Sequence, residues 1–212
     1  MYLRITSKCN MRCGHCGYSC EPGKGEHMTM ATFHAALGVT QDLGQHLVLG
    51  GGEPTLHPHF ESITLQAMAA SEESPLLIVT NGTHKRRSLM LATLAKQGCL
   101  DAELSNDVWH DDSMVNIEVY HAFEGRLRNV TGKEVCVGRF LETSCLDWGD
   151  VEHNNCVCPD WTVEPDGTIK QCGCEDAPII GNVTDGIFSP YTSCSGECCH
   201  SAEFEELVEE AA

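Results

Sequence analysis

Three times between residues 2 and 98 a short apolar run gives way to a glycine-rich or polar turn and then to apolar residues at helical spacing, and a fourth apolar run follows at 100–105. Short continuous apolar runs suit strands buried on both faces, and their alternation with helices predicts a parallel sheet with right-handed crossovers. Strands are expected at 2–5, 47–49, 76–80 and 100–105. Thr29 is placed to cap a first helix with Met30, Phe33 and Leu37 on one face and a stop at Gly44. The second helix starts near His59 and carries Phe60, Ile63 and Ala67 inward; the third carries Leu89, Leu91, Leu94 and Ala95 and ends at Gly98. In such sheets ligands bind beyond the carboxyl ends of the strands. Cys9 to Cys16, Gly51 to Glu53, Thr80 with Asn81, and Ser105 with Asn106 and Asp107 all fall there, so four groups are expected on one rim.

The first of these groups is the string CNMRCGHC, in which Cys9, Cys13 and Cys16 stand in a Cys-x3-Cys-x2-Cys spacing. Structural zinc and ordinary cubane clusters take four protein ligands, so three soft thiolates in one loop suggest a [4Fe-4S] cluster with one iron left open. Zinc and a plain electron-transfer cluster are the competing readings of the spacing. In the second group, Gly50-Gly51-Gly52-Glu53-Pro54, glycines allow close approach of main chain to a ligand, and Glu53 can accept hydrogen bonds from an ammonium group. Alone, a glycine-rich stretch between strand and helix reads as a turn.

Together the two groups resemble the cluster loop and the GGE motif of the radical S-adenosylmethionine (SAM) superfamily. The resemblance implies a cluster held by Cys9, Cys13 and Cys16, with its open iron chelated by the methionine part of SAM, and reductive cleavage to a 5′-deoxyadenosyl radical. It implies that Gly51, Gly52 and Glu53 hold the cofactor's amino group, and that Asn81 and Ser105 contact its ribose or carboxylate. His15 stands where the family usually has an aromatic residue; an imidazole is flat enough to lie beside adenine. Arg139, in a Gly-Arg pair near a further strand end of the family, would meet the cofactor carboxylate as a two-pronged donor. The fold implied is a partial (βα)6 TIM-type barrel over residues 1–140, with its last units shortened and strands expected at 115–119 and 127–130.

Residues 141–212 hold a second concentration of cysteine. TVEPDGTIKQC reads as two short strands flanking Pro165-Asp166-Gly167, a hairpin signal with glycine where positive φ is needed. The spacing from Cys156 through Gly167 to Cys172, followed by Ile180-Gly181-Asn182-Val183, resembles the SPASM/twitch extension of radical SAM enzymes. In those relatives such a hairpin binds an auxiliary [4Fe-4S] cluster completed by later cysteines, here Cys194 and Cys198. Cys158, Cys174 and Cys199 are alternatives, and zinc on the same thiolates stays open. A terminal helix is expected at 203–210.

Thirteen Lys and Arg against 31 Asp and Glu give a formal net charge of −18, so phosphate backbones are repelled and nucleic acid is disfavoured as a partner. No apolar run is long enough for a signal peptide or membrane span, and 14 cysteines in this spacing suit a reducing cytoplasm. Expected partners are a flavodoxin- or ferredoxin-type electron donor and a peptide substrate, since SPASM and twitch relatives often modify peptides. A small metabolite or nucleotide is the catalytic alternative; an iron–sulfur electron carrier or zinc-binding protein is the noncatalytic one.

Overall fold

The computed structural model describes residues 1–14, 16, 18–71, 74–107, 109–128, 161–171, 173, 177 and 179–187. Its first part alternates β1 (Tyr2–Thr6), α1 (Met30–Asp42), β2 (Val48–Gly51), α2 (Phe60–Ala70), β3 (Leu77–Thr80), α3 (Lys85–Lys96), β4 (Asp101–Ser105), α4 (Ile117–Ala122) and β5 (Leu127–Arg128). These five strands pair in parallel in the order β5-β4-β3-β2-β1. The α/β, mostly parallel sheet agrees with the barrel expected from the sequence. The sixth unit, Arg139 and the helix expected at 203–210 lie outside the described residues. No helix among the described residues is long and apolar enough to cross a membrane.

Beyond β1 the same sheet continues through β6 (Thr162–Val163), β7 (Thr168–Lys170), β8 (Ile179–Asn182) and β9 (Gly186–Ile187). β6 lies parallel to β1, and β6 to β9 form an antiparallel meander. The expected hairpin is therefore present, with Gly167 at φ +90° closing the turn; its main-chain N–H donates to the Glu164 carbonyl at 2.9 Å. A Cβ at Gly167 would lie 2.9 Å from Val183 and 3.2 Å from Thr32 of α1, so this turn packs directly on the barrel.

Register explains the core. Val163, Leu3, Leu49, Ile78 and Ala102 pair in one row across five strands, and all are fully buried. A one-residue slip of any strand would turn its apolar set outward, which specifies the pairing. Helices cover the row through Phe33 and Ala36 of α1, Phe60, Ile63 and Ala67 of α2, and Leu91, Ala92 and Ala95 of α3. Each large side chain so buried contributes about 1.5–3 kcal/mol. Thr29 caps α1 by accepting from the Thr32 N–H at 3.1 Å.

One element differs from its expected form. Residues 115–119 are not a strand: the chain makes a 3-10 turn at Asp112–Met114 and then α4. Val115, Ile117 and Val119 alternate as in a strand, but Ile117 is 64% exposed while Val119 and Phe123, four apart, are fully buried. That is a helical stripe, started by Asn116, whose Oδ1 accepts from the Glu118 N–H at 3.0 Å.

Candidate cluster and cofactor site

β1 delivers the cysteine loop at its carboxyl end, and β2 delivers the glycines beside it. The two are stitched together by main chain: Gly52 N–H donates to the Thr6 carbonyl at 2.8 Å and Glu53 N–H to the Lys8 carbonyl at 2.9 Å. Glycine is required at both positions. Gly51 sits at φ +143°, and a Cβ there would drive into the Thr6 carbonyl. At Gly52 a Cβ would collide with the Lys8 carbonyl and stand only 3.0 Å from Cys9 Cβ. Gly51 N–H donates to the Tyr2 hydroxyl at 2.7 Å, and burial pushes that phenol up to about 12.

Glu53 is only 1% exposed and is tied to the protein itself. Its Oε1 accepts from the Thr55 N–H at 3.1 Å and the Thr80 hydroxyl at 2.7 Å, as well as from the Thr55 hydroxyl; Oε2 accepts from the Asn81 N–H at 2.7 Å. Burial raises its pKa, and these donors pull the other way without cancelling that rise. The carboxyl group thus joins the ends of β2 and β3, bringing Asn81 to the cysteine loop. Asn81 Nδ2 lies 3.0 Å from Asn10 Oδ1 and 3.9 Å from Cys9 Sγ.

Around the cysteines, main-chain N–H groups point at sulfur. Met11 N–H donates to Cys9 Sγ at 3.4 Å and Cys20 N–H to Cys16 Sγ at 3.3 Å, while Cys16 N–H closes a turn on the Cys13 carbonyl at 3.3 Å. In the metal-free loop burial pushes the Cys9 thiol up to about 11. Bound metal reverses that tendency, because a coordinating thiol is deprotonated. Cys20 itself is buried and receives Arg4 Nη2 at 3.2 Å. Arg4 also pairs with Glu164 of the β6–β7 turn at 2.8 Å and lies 4.3 Å from the centre of the Tyr18 ring. Tyr18 in turn stacks on Tyr2. The cysteine loop is therefore braced by the hairpin as well as by β2.

The donor set fits a cluster. Three thiol-bearing residues, each partly exposed, follow one strand in a loop seated on a glycine cradle, with N–H groups aimed at two of the sulfurs. Among the described residues no three His, Cys, Asp or Glu side chains converge closely enough for a single ion.

Of the other expected residues, Ser105 ends β4 on the same rim, in register with Arg128 of β5. Asp107 beyond it accepts from the Trp109 N–H at 3.1 Å and pairs with His110 Nδ1 at 2.8 Å. His15, Arg139, Cys156, Cys172, Cys194 and Cys198 lie outside the described residues. Sequence reasoning missed Tyr2, Arg4, Asn10, Tyr18, Thr55 and Thr83 as parts of the site. Arg87 supports the site as well. Arg87 Nη1 donates to the His57 carbonyl at 2.8 Å as well as to the Thr55 carbonyl, and Arg87 pairs with Glu61 at 2.8 Å. It thereby clamps the turn after Glu53. A separate cavity of about 550 Å³ lies at the opposite end of the sheet, between the ends of α1 and α2, away from the cysteines.

The sequence model of the radical SAM superfamily matches residues 3–134, which span the cysteine loop and, from Leu3 on, the strands β1 to β5. The chain belongs to the radical SAM superfamily. Membership implies a [4Fe-4S] cluster and SAM for this radical SAM chain. It is 29% identical to a GTP 3′,8-cyclase of Haemophilus influenzae over 135 residues, 61% of this chain and 40% of that protein. It is 28% identical to a GTP 3′,8-cyclase of Chlorobaculum tepidum over 126 residues, 58% of this chain and 38% of that protein. The chain thus aligns with about two-fifths of the length of these relatives. Its fold is similar to BtrN in complex with AdoMet and 2-DOIA, with a TM-score of 0.63 at 14% identity over 99% of this chain and 85% of that one. It is also similar to anSMEcpe with bound AdoMet and the Kp18Cys peptide, with a TM-score of 0.52 at 14% identity over 100% of this chain and 83% of that one.

Proposed function

We propose that this radical SAM chain abstracts hydrogen from a peptide or protein substrate and so forms a cross-link, thioether or epimer. When bound, the cluster and SAM together supply a 5′-deoxyadenosyl radical. The chain's own residues bind, orient and shield. Cys9, Cys13 and Cys16 hold three irons. Gly51 and Gly52 leave the main chain open to the cofactor's amino group, and Glu53 fixes that turn. Asn81 and Ser105 would contact the ribose or carboxylate, with His15 assigned to the adenine and Arg139 to the carboxylate.

The observation that carries the reading is the cysteine loop seated on Gly51 and Gly52 at the carboxyl ends of parallel strands. The peptide choice is supported by the hairpin next to β1 and by the likeness to the peptide-bound anSMEcpe fold. A small-molecule substrate is the second reading, favoured by the names of the curated relatives and by the higher TM-score of the BtrN complex. Cys156, Cys172, Cys194 and Cys198 are proposed to hold a second [4Fe-4S] cluster, and a flavodoxin or ferredoxin to supply electrons.

The test is anaerobic reconstitution followed by dithionite and SAM. The reading expects 5′-deoxyadenosine, and about eight irons per chain for two cubanes. Deuterium transferred into that product from a labelled peptide supports the peptide reading. Intact clusters with no cofactor cleavage would refute the enzyme reading, and about four irons would refute the second cluster.

A further inference from the structure

The carboxamide of Asn81 is locked by a closed ring of three side chains. Its Oδ1 accepts from the Thr83 N–H at 3.1 Å and the Thr83 hydroxyl at 2.8 Å. Its Nδ2 donates to Asn10 Oδ1 at 3.0 Å, and Asn10 Nδ2 donates to the Thr83 hydroxyl at 2.8 Å. Donation therefore runs one way round: Asn81 to Asn10, Asn10 to Thr83, Thr83 back to Asn81. A main-chain N–H can only donate, so the Asn81 atom facing Thr83 is oxygen and the atom facing the cysteine loop is nitrogen. The flipped amide would set nitrogen against N–H at Thr83 and oxygen against oxygen at Asn10. An amide nitrogen carries two hydrogens, and Asn10 takes one. Within reach of the other is Cys9 Sγ, 3.9 Å away.

We propose that Asn81 donates an N–H···S hydrogen bond to the Cys9 thiolate and thereby raises the reduction potential of the cluster, with Asn10 and Thr83 as the residues that hold the amide in that orientation. The proposal rests on the cluster reading above and goes beyond it. A hydrogen bond to an anionic acceptor is stronger than one to a neutral acceptor, and adding an electron increases the negative charge on the cluster sulfurs. The donor therefore stabilises the reduced state more than the oxidised one. Asn81 also reaches this position without freedom to turn: its own N–H is fixed by Glu53, and its side chain by the ring.

The test is an electron paramagnetic resonance redox titration of the reconstituted full chain, with SAM omitted so that contacts to the cofactor do not enter. Asn81→Leu keeps the shape and removes the donor; Thr83→Val leaves the amide in place and opens the ring. Both are expected to lower the reduction equilibrium constant, Asn81→Leu by threefold to tenfold, where tenfold is about 59 mV for one electron, and Thr83→Val by less. Pulsed electron–nuclear double resonance should show an exchangeable proton coupled to the wild-type cluster that disappears in Asn81→Leu. Should Asn81→Leu not load iron, Thr83→Val decides. Potentials within a factor of two in equilibrium constant and an unchanged proton spectrum would overturn the proposal. So would a weakened SAM affinity with the SAM-free potential unmoved, which leaves Asn81 a role toward the cofactor alone. A wild-type chain that takes up zinc and no iron would sink the cluster reading, and the proposal with it.

Discussion

Replacing Gly52 by alanine tests whether the cysteine loop is seated on the β2 turn. The added Cβ would lie 2.6 Å from the Lys8 carbonyl carbon and 3.0 Å from Cys9 Cβ, besides colliding with the Lys8 oxygen. Carbon atoms in good contact stand about 3.5–4.0 Å apart, so the loop must retreat by roughly 0.5–1 Å. Overpacking of this kind costs about 1–3 kcal/mol. The retreat also stretches the Gly52-to-Thr6 and Glu53-to-Lys8 bonds, now 2.8 and 2.9 Å, which are worth roughly 1 kcal/mol each when lost. A destabilisation of about 2–4 kcal/mol results, or about 4–16 °C in Tm for a chain of this size. The assay is anaerobic thermal denaturation followed by circular dichroism, with iron counted on the same samples. Iron at the first site should fall together with Tm, because the displaced residue is next to Cys9. Gly44→Ala is the control: Gly44 is also left-handed, but its Cβ would meet nothing within 4 Å, so only about 1 kcal/mol is expected and no loss of iron. A Gly52→Ala protein with wild-type Tm and full iron would refute the seating.

Arg87→Lys should destabilise by about 2 kcal/mol, because an ammonium cannot reproduce a fork that reaches two carbonyls and Glu61 at once; urea midpoints should show Glu61→Ala costing less than half as much, its side chain being 40% exposed. Acid should destabilise through His57. Its Nδ1 accepts from the His59 N–H at 3.1 Å and its Nε2 meets the Met28 carbonyl at 2.9 Å, so the folded protein wants a neutral ring, and burial holds its pKa below the usual histidine value. The unfolded chain then binds more protons as pH falls from about 6.5 through the depressed folded value, and stability is lost across that window. Tm measured from pH 7.5 to 5.5 should fall more steeply in the wild type than in His57→Gln; equal slopes would contradict this account.

The sequence made legible what short-range pattern controls. Phe33, Phe60, Ile63, Ala67, Leu91 and Ala95 are buried as their helical spacing requires, and Gly44, Gly98 and Gly167 take the left-handed conformations their places suggested. The error at 115–119 came from three β-branched residues in alternation, a pattern that Asn116 overrides as a helix cap. At the site, the cysteine spacing and glycine pair were readable because they are local. The brace from Arg4 to Glu164 joins residues 160 apart, and the ring of Asn10, Asn81 and Thr83 joins residues more than 70 apart. Glu53 shows the same limit: its acidity suggested a ligand for an ammonium group, whereas its depth and its donors from Thr55, Thr80 and Asn81 follow only from where β3 ends.

The parallel pairing of β6 with β1 has a consequence for biogenesis. β1 has two neighbours, β2 soon after it in translation and β6 about 160 residues later, the separation across which Arg4 and Glu164 meet. Until β6 leaves the ribosome, the strand that presents the cysteines is an unprotected edge, with the N–H of Tyr2 waiting for the carbonyl of Trp161. Edges of this kind recruit foreign strands, and contacts so distant in sequence form slowly. A nascent or truncated chain lacking the meander is therefore exposed to aggregation at the strand that leads into the cysteine loop.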